Sequence, residues 1–130
     1  MKLLLDTHIW LWALTSPKRL EPRIRRELSS AKNEIFLSPI SIWEASHVFA
    51  SKRITVRESF ESWVDQALNQ TPIHEAPFNL AVAREASRIH LPQGDPGDVF
   101  LAATAVVFRL KFVTADEQLL RCSWLDTLSA

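Results

Sequence analysis

Apolar residues fall along this chain in two ways, as short unbroken runs and as stripes at helical spacing, and the two alternate almost from end to end. Lys2 to Leu5 is such a run, closed by Asp-Thr. Because it lacks polar alternation, it predicts a strand buried on both faces. A helix is expected over His8 to about Leu14, broken at Ser16-Pro17. A second is expected over Glu21 to Ala31, with Ile24 and Leu28 on one face and Arg23, Arg25, Arg26 and Glu27 largely on others. Glu34 to Leu37 predicts the next strand. Ser38-Pro39 is a helix-start pair, so a helix should run to about Ser51.

The second half continues the alternation. Phe60, Val64 and Leu68 predict a helix over Val56 to Asn69, and Thr71 to Ala76, between prolines, is expected as a strand. Asn79 to Ile89 predicts a helix with Leu80, Ala83 and Ser87 on one side. Leu91 to Gly97 holds both glycines and two prolines and is the most distinctive loop. Asp98 to Arg109 is apolar nearly all round, which predicts a buried helix. Lys111 to Thr114 follows as a strand, Asp116 to Arg121 as a short helix, and Trp124-Leu125 as an edge strand. Strands alternating with helices predict an α/β fold, a parallel sheet flanked on both faces with right-handed crossovers.

Composition narrows this little and charge narrows it more. The chain has 130 residues, 47% hydrophobic and 23% charged, which suits one domain over 1–130. Lys plus Arg and Asp plus Glu are 15 each, so no global field draws in an anionic partner, and any such partner must be held by a local patch or through a cation. The single Cys122 cannot form an internal disulfide. The opening run meets Asp6 too soon for a signal peptide, and no apolar run is long enough to span a bilayer. The expectation is a protein intact as written, in the cytoplasm, with no membrane partner.

Four acids stand where apolar runs give way to polar ones: Asp6, Glu44, Asp98 and Asp116. Taken singly, most read as helix caps. Asp95-Pro96-Gly97-Asp98 has the order of a cap, a first-turn proline and a first-turn acid; Ser41 to Glu44 and Thr114 to Glu117 fit capping boxes; Asp6 could cap the helix near His8. Taken together, Asp6, Asp98 and Asp116 fall at the carboxyl edge of a parallel sheet, where such folds place ligands. Glu44 lies too deep in its helix to cap it and shares a stripe with Ile40 and Val48, which face the core. A carboxylate there is costly without a cation. Crowded carboxylates raise each other's pKa unless a cation holds them ionised, and all-oxygen ligands select a hard ion, Mg²⁺ or Mn²⁺. Lys111 and Arg109 are cations that could fold nearby.

LLLDTHIWLWAL, SPISIWEAS, LPQGDPGDVFLAATA and KFVTADEQLL, in this order and over nearly the full chain, resemble the PIN-domain ribonucleases, specifically the VapC-type toxins of prokaryotic toxin–antitoxin pairs. The resemblance implies a three-layer α/β/α fold with a central, mostly parallel sheet of four to five strands. It also implies endonucleolytic cleavage of RNA dependent on Mg²⁺ or Mn²⁺, a cognate antitoxin and a homodimer. Asp6, Glu44, Asp98 and Asp116 match the family's acidic quartet, and Thr7 and Thr114 match hydroxyl positions beside it. By analogy with other acid-metal nucleases, Asp6 and Asp98 are the principal metal ligands. Glu44 and Asp116 complete the shell, hold a second ion or orient the attacking water, while Asp95 mainly caps. Two departures stand out: Val99 where the family usually has Arg, and Gln93-Gly94 where a His is common.

Rival readings remain open at this level. The missing Arg suggests a catalytically inactive PIN-like module that binds RNA or protein. A haloacid dehalogenase-type phosphatase would need a second acid beside Asp-Thr-His, and a phosphoacceptor receiver an early acidic pair and a late Lys. Lys18, Arg19, Arg23, Arg25 and Arg26, with a second group at Lys52, Arg53 and Arg57, each read as solvated helix surface, and the first group also as candidate RNA contacts. Trp43 is expected in the core. Trp10 and Trp12 are two apart, so one of them should meet another helix, a partner subunit or the antitoxin. His8 reads as a helix-surface residue.

Overall fold

Leu3 and Leu4 are fully buried and Leu5 nearly so, which a strand achieves only when both faces of its sheet are covered. The computed structural model describes residues 1–52, 54 and 56–130, which leaves Arg53 of the second basic group outside the described residues. Its sheet has five strands, β1 (Lys2–Leu5), β2 (Glu34–Leu37), β3 (His74–Glu75), β4 (Lys111–Thr114) and β5 (Thr127–Ser129), in the order β3-β2-β1-β4-β5. Every described pairing is parallel, with Leu3 beside Ile35 and Leu4 beside Phe112. Successive side chains of β1 point to opposite faces. Leu3 and Leu5 enter one core with Ile9, Trp10, Ile24 and Trp63, while Leu4 enters another with Phe112, Leu101 and Leu119. The three-layer α/β/α arrangement is thus fixed by alternation within four residues.

The helices are α1 (Thr7–Thr15), α2 (Pro22–Ser29), α3 (Pro39–Ala50), α4 (Phe60–Gln70), α5 (Leu80–Ala86), α6 (Pro96–Phe108) and α7 (Glu117–Leu120), with one 3₁₀ turn at Pro17–Arg19. Among the described residues no helix is long and apolar enough to cross a membrane. Ser38 caps α3 by accepting the Ile40 N–H at 3.1 Å. Asp95 caps α6 by accepting the Asp98 N–H at 2.9 Å, as the Asp-Pro-Gly-Asp order predicts.

Three expectations need correction. The final strand is Thr127–Ser129, not Trp124-Leu125: Leu125 is buried in the turn before the strand, and the ladder is joined from Asp126, whose carbonyl accepts the Phe112 N–H at 2.8 Å. Helix α4 begins at Phe60 rather than Val56, because Ser59 supplies the cap, accepting the Ser62 N–H at 3.2 Å. Helix α5 turns the other way from the predicted stripe. It buries Val82 and Ala86 against Ala103 of α6 and leaves Leu80 83% exposed. The smaller Val82 and Ala86 admit a close approach to the alanine-rich face of α6, so packing overrides the larger side chain's hydrophobicity.

Candidate active site

The strand order places a switch point at the carboxyl ends of β1 and β4, from which the chain departs to opposite sides of the sheet. Asp6 directly follows β1 and Asp116 lies two residues beyond β4, so adjacent strands bring them together across 110 residues of sequence. Thr114 Oγ1 joins them. It donates to Asp6 Oδ2 at 2.7 Å and accepts the Asp116 N–H at 3.1 Å. Asp6 stands at the N-cap position of α1 but makes no side-chain cap bond; its carboxylate is turned to Thr114 instead. Asp116 does cap, its Oδ1 accepting the N–H groups of Gln118 and Leu119 at 2.8 and 3.2 Å.

Glu44 reaches the same place from α3. Thr7 Oγ1 lies 2.5 Å from Glu44 Oε1 and 2.9 Å from Ser41 Oγ. One hydroxyl carries one proton, so Thr7 donates to the carboxylate and accepts from the buried Ser41. Glu44 therefore meets a hydroxyl and not a Lys or Arg. The two cations that could have folded nearby are elsewhere. Lys111 Nζ is 3.4 Å from Asp126 Oδ1, and Arg109 ends α6 in the left-handed region at φ 55°. Asp98 completes the group from the first turn of α6, and Gly97 before it is what admits Glu44. A Cβ at position 97 would meet the Glu44 carboxylate, 2.9 Å from its Cδ, and would lie 3.2 Å from Asp95 Oδ1.

Asp6, Thr7, Glu44, Asp95, Asp98 and Asp116 thus line one cleft of about 580 Å³, and among the described residues no Lys or Arg lines it. The electrostatic consequence is direct. Burial raises the pKa of Asp98 to about 7, helped by the charges of Asp95, Asp6 and Asp116. Burial likewise raises Asp6, against the hydrogen bond from Thr114, and Glu44, against the hydrogen bond from Thr7. The nearest positive influence on either is His8. A site that gathers carboxylates without a basic partner suits a hard cation. Among the described residues no three acid, histidine or cysteine side chains stand together as a ready metal-ligand group. Mg²⁺ needs only one or two of them and keeps its own waters, so the donor set fits such an ion.

All four predicted acids and Thr7 line this cleft, with Thr114 bonded to Asp6 behind it. The basic residues divide: Lys18, Arg19, Arg23, Arg25 and Arg26 are all exposed, and only Arg19 lines an adjoining depression, where its guanidinium sits 4.4 Å over the Trp12 ring. Val99 packs partly buried against the core clusters, so that position offers no cation. Trp43 is corrected outright: it is 63% exposed and lines the cleft. Three contributors escaped the sequence reading, namely Ser41, Gly97 and the group of rings from α1 and α3, His8, Trp12, Trp43 and His47, that lines the cleft. Ser41 was legible one turn before Glu44, whereas the other two depend on contacts between α1, α3 and α6.

A family model described as the PIN domain matches residues 3–125. Ribonuclease VapC22 of Mycobacterium tuberculosis is 28% identical over 119 residues, covering 89% of this chain and 88% of its own. A chain in the crystal structure of VapBC2 from Rickettsia felis, bound to a DNA fragment from its promoter, superposes with a TM-score of 0.70 at 18% identity, covering 99% of this chain and 98% of that one. VapBC-1 of nontypeable Haemophilus influenzae gives 0.67 at 13% identity, with 99% and 98% covered.

Proposed function

The chain belongs to the PIN-domain family, and from that premise we propose that it is a metal-dependent endoribonuclease acting as the toxin of a toxin–antitoxin pair. The observation that carries the chemistry is the cleft at the sheet's carboxyl edge, which Asp6, Glu44, Asp98 and Asp116 all line and, among the described residues, no Lys or Arg does. Similarity to Ribonuclease VapC22 over most of both chains supports RNA as the substrate, and a cognate antitoxin is the partner that the resemblance of the sequence motifs implies. A homodimer is part of the same reading.

Asp6 and Asp98 are assigned as the principal ligands of Mg²⁺ or Mn²⁺, with Glu44 and Asp116 completing the shell or orienting water. Such an ion, when bound, supplies Lewis-acid polarisation of a phosphodiester. The chain's own residues supply position. Thr114 fixes one oxygen of Asp6, Thr7 fixes one of Glu44, and the α7 cap fixes one of Asp116. These bonds restrict how each carboxylate can turn, so little orientational freedom is lost at the moment of reaction. Hydrolysis adds water across one P–O ester bond, and the proton leaving that water needs a carboxylate within hydrogen-bond reach. Glu44 and Asp116 are the residues assigned to that task.

The test is cleavage of labelled RNA by the purified protein. Cutting is expected with Mg²⁺ or Mn²⁺, loss of cutting in EDTA, and loss in Asp6→Asn and Asp98→Asn proteins whose melting shows them folded. Persistent cutting in EDTA, or by folded Asp98→Asn, would refute the mechanism. Growth arrest on expression, relieved by the same substitutions, is the expected sign of a toxin. Tight RNA binding without cutting would instead favour an inactive PIN-like module, the reading suggested by Val99.

A further inference from the structure

The cleft is lined by rings as well as by carboxylates, His8 and Trp12 from α1 and Trp43 and His47 from α3. Each pair is four residues apart and so shares one helix face. The His8 and Trp12 centroids are 6.1 Å apart, and Trp43 meets His47 edge-on at 4.4 Å. Trp10 and Trp63 are buried in the core at 1% and 7% exposure, whereas Trp43 stands 63% exposed at the rim. A single exposed apolar residue needs no explanation. This one lines the same cleft as the Trp12 ring. Past His8 and Trp12 the lining continues into a second depression ending at Arg19, stacked over the outer face of Trp12.

We infer that the ring-bearing wall is a seat for an unpaired nucleobase of the RNA substrate, with Trp43 as the stacking platform and Arg19 receiving a neighbouring backbone phosphate. This rests on the ribonuclease reading above and adds to it which side chains of this chain hold the strand beside the acids. The carboxylates by themselves repel phosphate, and among the described residues no Lys or Arg lines the cleft, so beside a bound cation the rings are the surface there that can hold the substrate. An indole ring offers such a hold to any base through its π face. In a duplex both faces of a base are covered by its neighbours, and only an unpaired or extruded base can lie on Trp43. A seat within the same cleft as the acids also fixes which phosphate reaches them. An apolar peptide would gain from the rings alone and has no use for that proximity.

The experiment measures binding of a short, unstructured, fluorescein-labelled oligoribonucleotide to Asp98→Asn protein with Mg²⁺ present, so that binding is read without hydrolysis. Adding Trp43→Ala should weaken binding roughly 5- to 150-fold, the range for loss of one base–aromatic stack, while Trp43→Phe should keep most of it. Affinity for a duplex of equal length should not change. Abasic substitution, walked along the strand, should reveal one position at which Trp43→Ala has no further effect. Because Trp43 is exposed, the variants should fold, and far-ultraviolet circular dichroism checks this. Unchanged single-strand binding by folded Trp43→Ala would overturn the seat and hand the wall to a protein partner; equal losses on single strand and duplex would overturn it too. The two readings fail separately. Wild-type protein that cuts RNA with kcat/KM unaltered by Trp43→Ala removes only the seat, whereas wild-type protein that neither binds nor cuts RNA removes the ribonuclease reading as well.

Discussion

Asp98 shows how a single side chain carries both the cost and the use of this cleft. Its pKa is raised from 3.8 to about 7 by burial and by Asp95, Asp6 and Asp116, so folding disfavours its ionised form. The metal-free protein is therefore relieved of this cost below about pH 4 and bears it in full only above pH 7. Asp98→Asn should raise the melting temperature of metal-free protein by a few degrees at pH 8 and leave it almost unchanged at pH 4. Mg²⁺ or Mn²⁺ should stabilise the wild type at pH 8 and lose that effect toward pH 5, as protons compete for the same oxygens. A wild-type melting temperature indifferent to cation at pH 8 would count against the metal assignment. Gly97 is the second test at this scale. Ala is the better helix former by about 1 kcal/mol, yet its Cβ would occupy the space of the Glu44 carboxylate. Gly97→Ala should keep the fold within about 1 kcal/mol and reduce cleavage about tenfold or more, the effect of a small misplacement at a reacting site. Full activity in that variant would show that Glu44 has no fixed task.

Among the elements, caps and ligands come from the same residue types, and two helix starts here separate the roles. Asp116 caps α7 through Oδ1, and asparagine caps as well as aspartate. Asp116→Asn should thus preserve melting while abolishing or severely reducing cleavage; equal activity would leave Asp116 a cap alone. Asp95→Ala should do the reverse, costing about 0.5–2 kcal/mol of stability through the start of α6 while cutting continues. The same overlap explains what the sequence could and could not disclose. Strands β1, β2 and β4 were legible because buried parallel strands are written as unbroken apolar runs, and the Asp-Pro-Gly-Asp start of α6 because capping is local. Strand β5 was not, since Thr127–Ser129 has no apolar run of its own and is defined by pairing with β4. The inward face of α5 was hidden because it answers to the alanines of α6. In the site, the acids were visible as a set of breaks in the apolar pattern, but the position of Trp43 was not. Its exposure follows from the face that α3 turns inward, which buries Ser41, Ala45 and Val48 and leaves Trp43 outside.

At the scale of the whole molecule, zero net charge conceals a division of labour between surfaces. Carboxylates converge at the sheet's carboxyl edge, and the basic residues of the 3₁₀ turn and α2 all lie exposed outside that cleft. Nucleic acid must then be attracted by a patch rather than by an overall field, and salt sensitivity measures how many of those cations meet phosphate. Each phosphate neutralised on a single strand contributes about 0.7 to the slope of log affinity against log salt. Arg19 lines the depression that adjoins the cleft and Lys18 stands beside it in the 3₁₀ turn, whereas Arg25 and Arg26 line neither cavity. Replacing Lys18 and Arg19 together by Ala in Asp98→Asn protein should flatten the slope by about 1.4 if each holds one phosphate. Replacing Arg25 and Arg26 together should leave the slope nearly unchanged, since charges beyond about 8 Å are largely screened at physiological salt. If the second pair flattens the slope as much as the first, the RNA runs across α2 and not along the ring-bearing wall. Equal slopes in both variants and in the parent would mean that affinity comes from stacking and the cation site alone, with the exposed basic residues serving solubility.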